Sequence, residues 1–179
     1  MQFKILTAIT TFLAASSVQA AIAPSDIVKT LETVTDLSSD TNDIAKTITN
    51  PVQIFTAVPK LIGSFKNIIT TVTDAISMLG DLPEDTDFPK SGQSEICEAF
   101  TGFVKVHQNL LETIIGKKGL LSSTPFTAPI AAVLRVLEGV VDKVAFTIIG
   151  TVPTCEESAK KDLEALDKTL GETIDTYSS

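Results

Sequence analysis

Apolar residues in this chain recur at intervals of three and four. No run alternates with the two-residue period of a strand for long enough to build a sheet. The clearest case is FTGFVKVHQNLLETII, residues 100 to 115. Placed on a helix, its Phe100, Phe103, Val104, Leu110, Leu111 and Ile114 share one face with His107, the only histidine in the chain. That imidazole stands at the centre of the apolar stripe.

Four further segments carry the same period. Residues 25 to 48 place Ile27, Leu31, Val34, Ala45 and Ile48 together, with polar Ser38 and Thr41 where the inward stripe passes. A second helix opens with Asn50 as cap, Pro51 at the first helical position and Gln53 at the third, a reciprocal capping arrangement. It brings Phe55, Val58, Ile62, Phe65, Ile69, Val72, Ile76 and Leu79 to one side, with a kink or restart expected near Pro59. Gly80 ends it, using glycine's access to the left-handed conformation. Residues 81 to 93 form an acidic, proline-containing loop. The third helix runs from about Ser94 to Ile115, closed by the GKKG that follows. The fourth, roughly residues 128 to 149, has a wide apolar face made by Ile130, Val133, Leu134, Leu137, Val140, Val141, Val144 and Ile148, with Phe146 on the opposite side. Thr154 and Glu157 suggest a capping box for the fifth, whose face is Ala159, Leu163, Leu166, Leu170, Ile174 and Tyr177. The pattern predicts an all-α fold, an up-and-down bundle of about five antiparallel helices.

The N-terminus, MQFKILTAITTFLAASSVQA, has a lysine, an apolar run from Ile5 to Ala15 and small residues at Val18 and Ala20. It reads as a secretory signal peptide over residues 1–20, with residues 21–179 forming one helical domain. No later stretch is long and apolar enough for a transmembrane anchor. A net charge of -8 argues against nucleic acid as a partner, because phosphate would be repelled. Secretion makes a disulfide between Cys97 and Cys155 the expected state. In an up-and-down bundle the third and fifth helices are parallel, so both cysteines lie at one end. Two buried free thiols are the alternative.

Catalytic signatures are missing. No GxSxG precedes a triad, no glycine-rich phosphate loop occurs, and His107 has no neighbours at metal-ligand spacing. An enzyme is not expected, nor a cofactor or a metal.

Three segments, DLSSDTNDIAKTI, GKKGLLSSTPFTAPIAAVLRVLEGVVDKVAFTIIGTVP and AKKDLEALDKTLGETIDTY, resemble the fungal hydrophobic surface-binding protein A family, which includes the antigenic cell wall galactomannoproteins. The resemblance implies a secreted or cell-wall-associated helical protein. Some members bind fatty acids in a cavity between helices. Others adsorb to hydrophobic surfaces and help recruit a secreted polyesterase. The larger Val, Ile, Leu and Phe side chains of this chain depart from the alanine-rich members, and bear on cavity size.

Helical-wheel geometry, rather than any family motif, supplies candidate ligand contacts. His107 with Ser38, Thr41 or Thr147 offers donors to a fatty-acid carboxylate, while Phe65, Phe100, Phe103, Leu137 and Val141 surround the tail. The structural alternative is a neutral core histidine bonded to a backbone carbonyl, Ser38 or Thr41. Phe146 is a candidate contact with hydrophobic surfaces if it is exposed.

Overall fold

A computed structural model describes residues 22–83, 86 and 88–178. The expected signal peptide therefore lies outside the described residues, among which the fold is all-α. Five long helices span Pro24–Lys46 (α1), Pro51–Leu79 (α2), Lys90–Gly116 (α3), Thr127–Ile149 (α5) and Glu156–Ser178 (α6), and the single-turn Lys118–Leu121 (α4) follows α3.

The long helices close into a ring. Each packs mainly on two others, in the spatial order α1, α2, α5, α6, α3 and back to α1. Their apolar stripes face the middle, where Phe65, Phe100 and Phe103 are the largest fully buried side chains. Cys97 in α3 and Cys155 just before α6 are joined by a disulfide across a Cα separation of 6.4 Å. This pins the α3 and α6 starts together, as parallel placement of those helices requires.

Several local expectations are corrected. The inward stripe of α2 is Ile54, Val58, Leu61, Phe65, Ile68, Val72, Ala75 and Leu79. Phe55 is exposed, and Ile62, Ile69 and Ile76 are only half-buried at the seams. The helix is apolar on two sides, and spacing alone does not choose between them. Pro59 does not interrupt α2. It sits exposed, as does Phe55, whose carbonyl loses a donor where water can replace it. At its start Asn50 Oδ1 accepts from the Val52 and Gln53 amides, but the Gln53 side chain reaches back to Thr49 rather than Asn50. Gly80 has a φ of -65°, so α2 ends without a left-handed residue.

Helix α3 begins four residues early, at Lys90. Gln93 explains why: its Nε2 donates to the Phe88 carbonyl at 2.8 Å and its Oε1 accepts from the Thr154 amide at 3.1 Å. The same bond displaces the expected capping box, since the Thr154 region is already held by α3 and α6 starts at Glu156. In its first turn, Gly92 lies against Pro24 of α1. A Cβ there would fall 2.6 Å from the proline Cγ, so the close approach of α1 and α3 needs glycine.

Candidate functional site

Ser38 and His107 interrupt the apolar stripes of α1 and α3 at the same level of the bundle. Both are fully buried. Ser38 Oγ lies 2.9 Å from His107 Nδ1 and 2.8 Å from the Val34 carbonyl. The hydroxyl has one proton. When it donates to Val34, Nδ1–H donates to the hydroxyl oxygen, and Nε2 is left with a lone pair. That Nε2 is buried without a partner. Burial lowers the His107 pKa to about 4, so the ring is neutral at physiological pH. One turn beyond Ser38, Asn42 Nδ2 donates to Asn109 Oδ1 at 3.1 Å, and Asn42 Oδ1 is buried without a partner as well.

The Phe103 ring sits 5.3 Å from the imidazole and 6.3 Å from Phe100. Both phenylalanines line an apolar gap between α1, α2, α3 and α5, in the half of the bundle nearer the disulfide. Leu31, Val34, Val72 and Val144 form other parts of its wall. The gap holds only about 20 Å³ of open space. That is room for about one water, and the apolar lining gives a water nothing to bond.

The remaining candidates fall in two groups. Phe65, Leu137 and Val141 are fully buried in the shared core. Thr41 is buried too, but its hydroxyl donates to the Leu37 carbonyl at 2.6 Å. Thr147 is half-buried and its hydroxyl donates to the Lys143 carbonyl at 2.9 Å. Both threonines thus bond within their own helices. Phe146 is 64% exposed. Sequence reasoning had Leu31, Val34, Val72 and Val144 as stripe residues without assigning them to a site. Their spacing shows that they are inward, not that they border a gap. Among the described residues no group of three His, Cys, Asp or Glu side chains is placed to hold a metal, and no helix is long and apolar enough to cross a membrane.

Comparison with solved structures places this fold. The chain is similar to AfMp4p, solved in complex with palmitic acid, with a TM-score of 0.68 and 14% identity over 86% of this chain and 99% of that one. It is also similar to ligand binding domain 1 of the Penicillium marneffei MP1 protein, complexed with arachidonic acids, with a TM-score of 0.75 and 17% identity over 86% of this chain and 98% of the other. At such identities the likeness is one of fold. No known family pattern and no curated protein sequence matches the chain.

Proposed function

We propose that this is a secreted, non-enzymatic carrier of the galactomannoprotein type that takes a fatty acid or similar amphiphile into the middle of its helical ring. The carboxyl group meets His107 and Ser38, and the tail runs along Phe100 and Phe103. The observation that carries the reading is the orphan Nε2. A buried acceptor without a partner is costly, and a carboxylic acid O–H is the donor that would satisfy it beside an apolar gap. Support comes from the two proteins of the same fold solved with fatty acids.

The gap is closed. A pocket for a drug-sized ligand encloses roughly 300 Å³ or more, against about 20 Å³ here. Binding therefore requires helices to part. Helix α2 is the wall that yields: among the described residues no side-chain hydrogen bond or ion pair joins it to another helix, so moving it strands no polar group. The neutral ring also sets the proton balance. A fatty acid that arrives as carboxylate must be met by one proton, held between the carboxyl group and Nε2.

His107→Leu tests this. It is expected to weaken fatty-acid binding several-fold and leave the uncharged methyl ester nearly unchanged. Calorimetry in buffers of different ionisation enthalpy should show about one proton taken up per fatty acid near neutral pH, and none with the ester. An equal loss for acid and ester, or no loss for either, returns His107 to a purely structural role.

A further inference from the structure

The large apolar side chains that stand exposed among the described residues are Val52, Phe55, Val136 and Phe146, each more than half accessible. All belong to α2 or α5. The two helices are neighbours. Their outer faces meet in a groove lined by Ile62, Lys66, Ile69, Pro129, Val133 and Val136. Toward the end away from the disulfide, Phe55 reaches across the seam to Phe126, the rings edge-on with centroids 5.8 Å apart.

Charge on this face is unlike charge elsewhere. Along the outer side of α5 the exposed residues include Ala132, Val136, Gly139, Lys143 and Phe146, with no carboxylate among them, and at the α6 edge Arg135, whose guanidinium donates to Ser178 of α6 at 2.6 Å. The two acids of α5, Glu138 and Asp142, are half-buried on its α6 side, where Asp142 meets Asp167 of α6. Helix α2 exposes Lys60 and Lys66 and carries only Asp74 as an acid. The acid excess of a chain with net charge -8 lies largely on α1 and α6. On α6 alone Glu156, Glu157, Asp162, Glu164, Glu172 and Asp175 join Asp167 against Lys160, Lys161 and Lys168.

We propose that the outer face of α2 and α5 docks on an anionic lipid bilayer. Apolar side chains interleaved with lysine and arginine are what an interfacial surface needs, since the first enter the headgroup boundary and the second pair with anionic headgroups. The acidic remainder sharpens the orientation. An anionic surface repels the acidic α1 and α6 sides of the molecule and favours this one over them. An apolar surface without charge would make the cations irrelevant. The face lies outside the ring, so this docking stands or falls separately from ligand uptake in the interior.

The test is co-sedimentation of the purified protein with phosphatidylcholine vesicles, with and without about 30% phosphatidylserine, at roughly 0.05 M and 0.5 M salt. Binding is expected to the anionic vesicles at low salt and to be lost at high salt. Each cation near such a surface contributes about fivefold, so Lys66→Glu with Lys143→Glu should weaken binding by about twenty-five-fold or more. Phe55→Ser with Phe146→Ser should weaken it without changing the salt dependence. Lys160→Glu with Lys161→Glu, on α6, should leave it unchanged. All these positions are exposed, and a thermal melt checks that each variant is folded. Equal binding to neutral vesicles, binding to neither, or a loss from the α6 pair as large as from the α2/α5 pair would overturn the proposal.

Discussion

Helices α2 and α3 are both long, both central to the ring, and held in opposite ways. Helix α3 is tied to its neighbours by directional bonds along its length. Gln93 accepts from the Thr154 amide, Thr101 donates to Asp162 of α6 at 2.7 Å, His107 pairs with Ser38, Asn109 with Asn42, and Gln108 donates to the Ala165 carbonyl at 3.0 Å. Its Ile114 carbonyl accepts from the Tyr177 hydroxyl at 2.7 Å, and Cys97 adds the disulfide. Among the described residues helix α2 packs on α1 and α5 with no side-chain hydrogen bond or ion pair between them, mainly through the buried apolar residues of its inward stripe. Burial of apolar surface is strong but non-directional. A helix held that way can shift and repack, whereas shifting α3 would leave several buried donors and acceptors unpaired. The contrast divides the molecule into a fixed frame of α1, α3 and α6 and a yielding wall at α2.

The largest expected effect lies in the frame. Replacing both Cys97 and Cys155 by alanine frees a loop of 58 residues in the unfolded chain, which should lower stability by about 4 kcal/mol. Urea denaturation measures it. The loss should come with faster amide exchange at the starts of α3 and α6. If exchange rises instead mainly in α2, the frame is not where the stability resides, and the division fails.

A smaller effect is expected in the wall. Proline inside a helix costs about 3 kcal/mol relative to alanine, and part of that is absent here because α2 runs on through Pro59 at an exposed position where water can replace the missing donor. Pro59→Ala should therefore stabilise the protein by about 1–2 kcal/mol. It should slow amide exchange in α2 and reduce the rate of fatty-acid uptake. A stiffer α2 with unchanged uptake would count against α2 as the proposed route of ligand entry.

The same division separates what the sequence could reveal from what it could not. In α1, α3 and α6 one face is apolar and the other charged, so the inward residues follow from spacing. Even the pairing of Ser38 with His107 is visible as two polar positions on two inward stripes. In α2 the two sets Ile54, Leu61, Ile68 and Phe55, Ile62, Ile69 have the same seven-residue interval. Choosing between them takes the packed neighbours. The cyclic order of the helices and the orphaned ring nitrogen were hidden for a related reason. Both depend on how side chains from distant segments fill shared space, and the rotamer that turns Nδ1 to Ser38 is set by that packing.

The smallest net effect concerns pH, where frame and seam oppose each other. The folded-state pKa of His107 is lowered by burial from 6.5 to about 4. Between those values the unfolded chain binds the extra proton, so this group's contribution is full above pH 6.5 and is lost as pH falls toward 4, by up to about 3 kcal/mol. Asp167, at the α5–α6 seam, shifts the other way. Burial raises its pKa from 3.8 to about 6, helped by a hydrogen bond to Asp142 and by the charges of Asp142, Glu138 and Glu164. Here the folded protein holds the extra proton, so the contribution is full below pH 3.8 and is lost as pH rises toward 6. Asp167 is half-buried, so solvent screening reduces its share to about 1 kcal/mol. The two slopes overlap between pH 4 and 6 and partly cancel, leaving a shallow rise in wild-type stability with pH. Asp167→Asn removes the falling part, so its stability should rise more steeply across that window. His107→Leu removes the rising part, so its stability should fall. Urea midpoints at pH 4, 5 and 6 read both slopes, whatever the variants do to the absolute level. If His107→Leu keeps the wild-type rise, then the imidazole is already hydrated or charged in the folded protein, and the frame is not sealed at the level of the site.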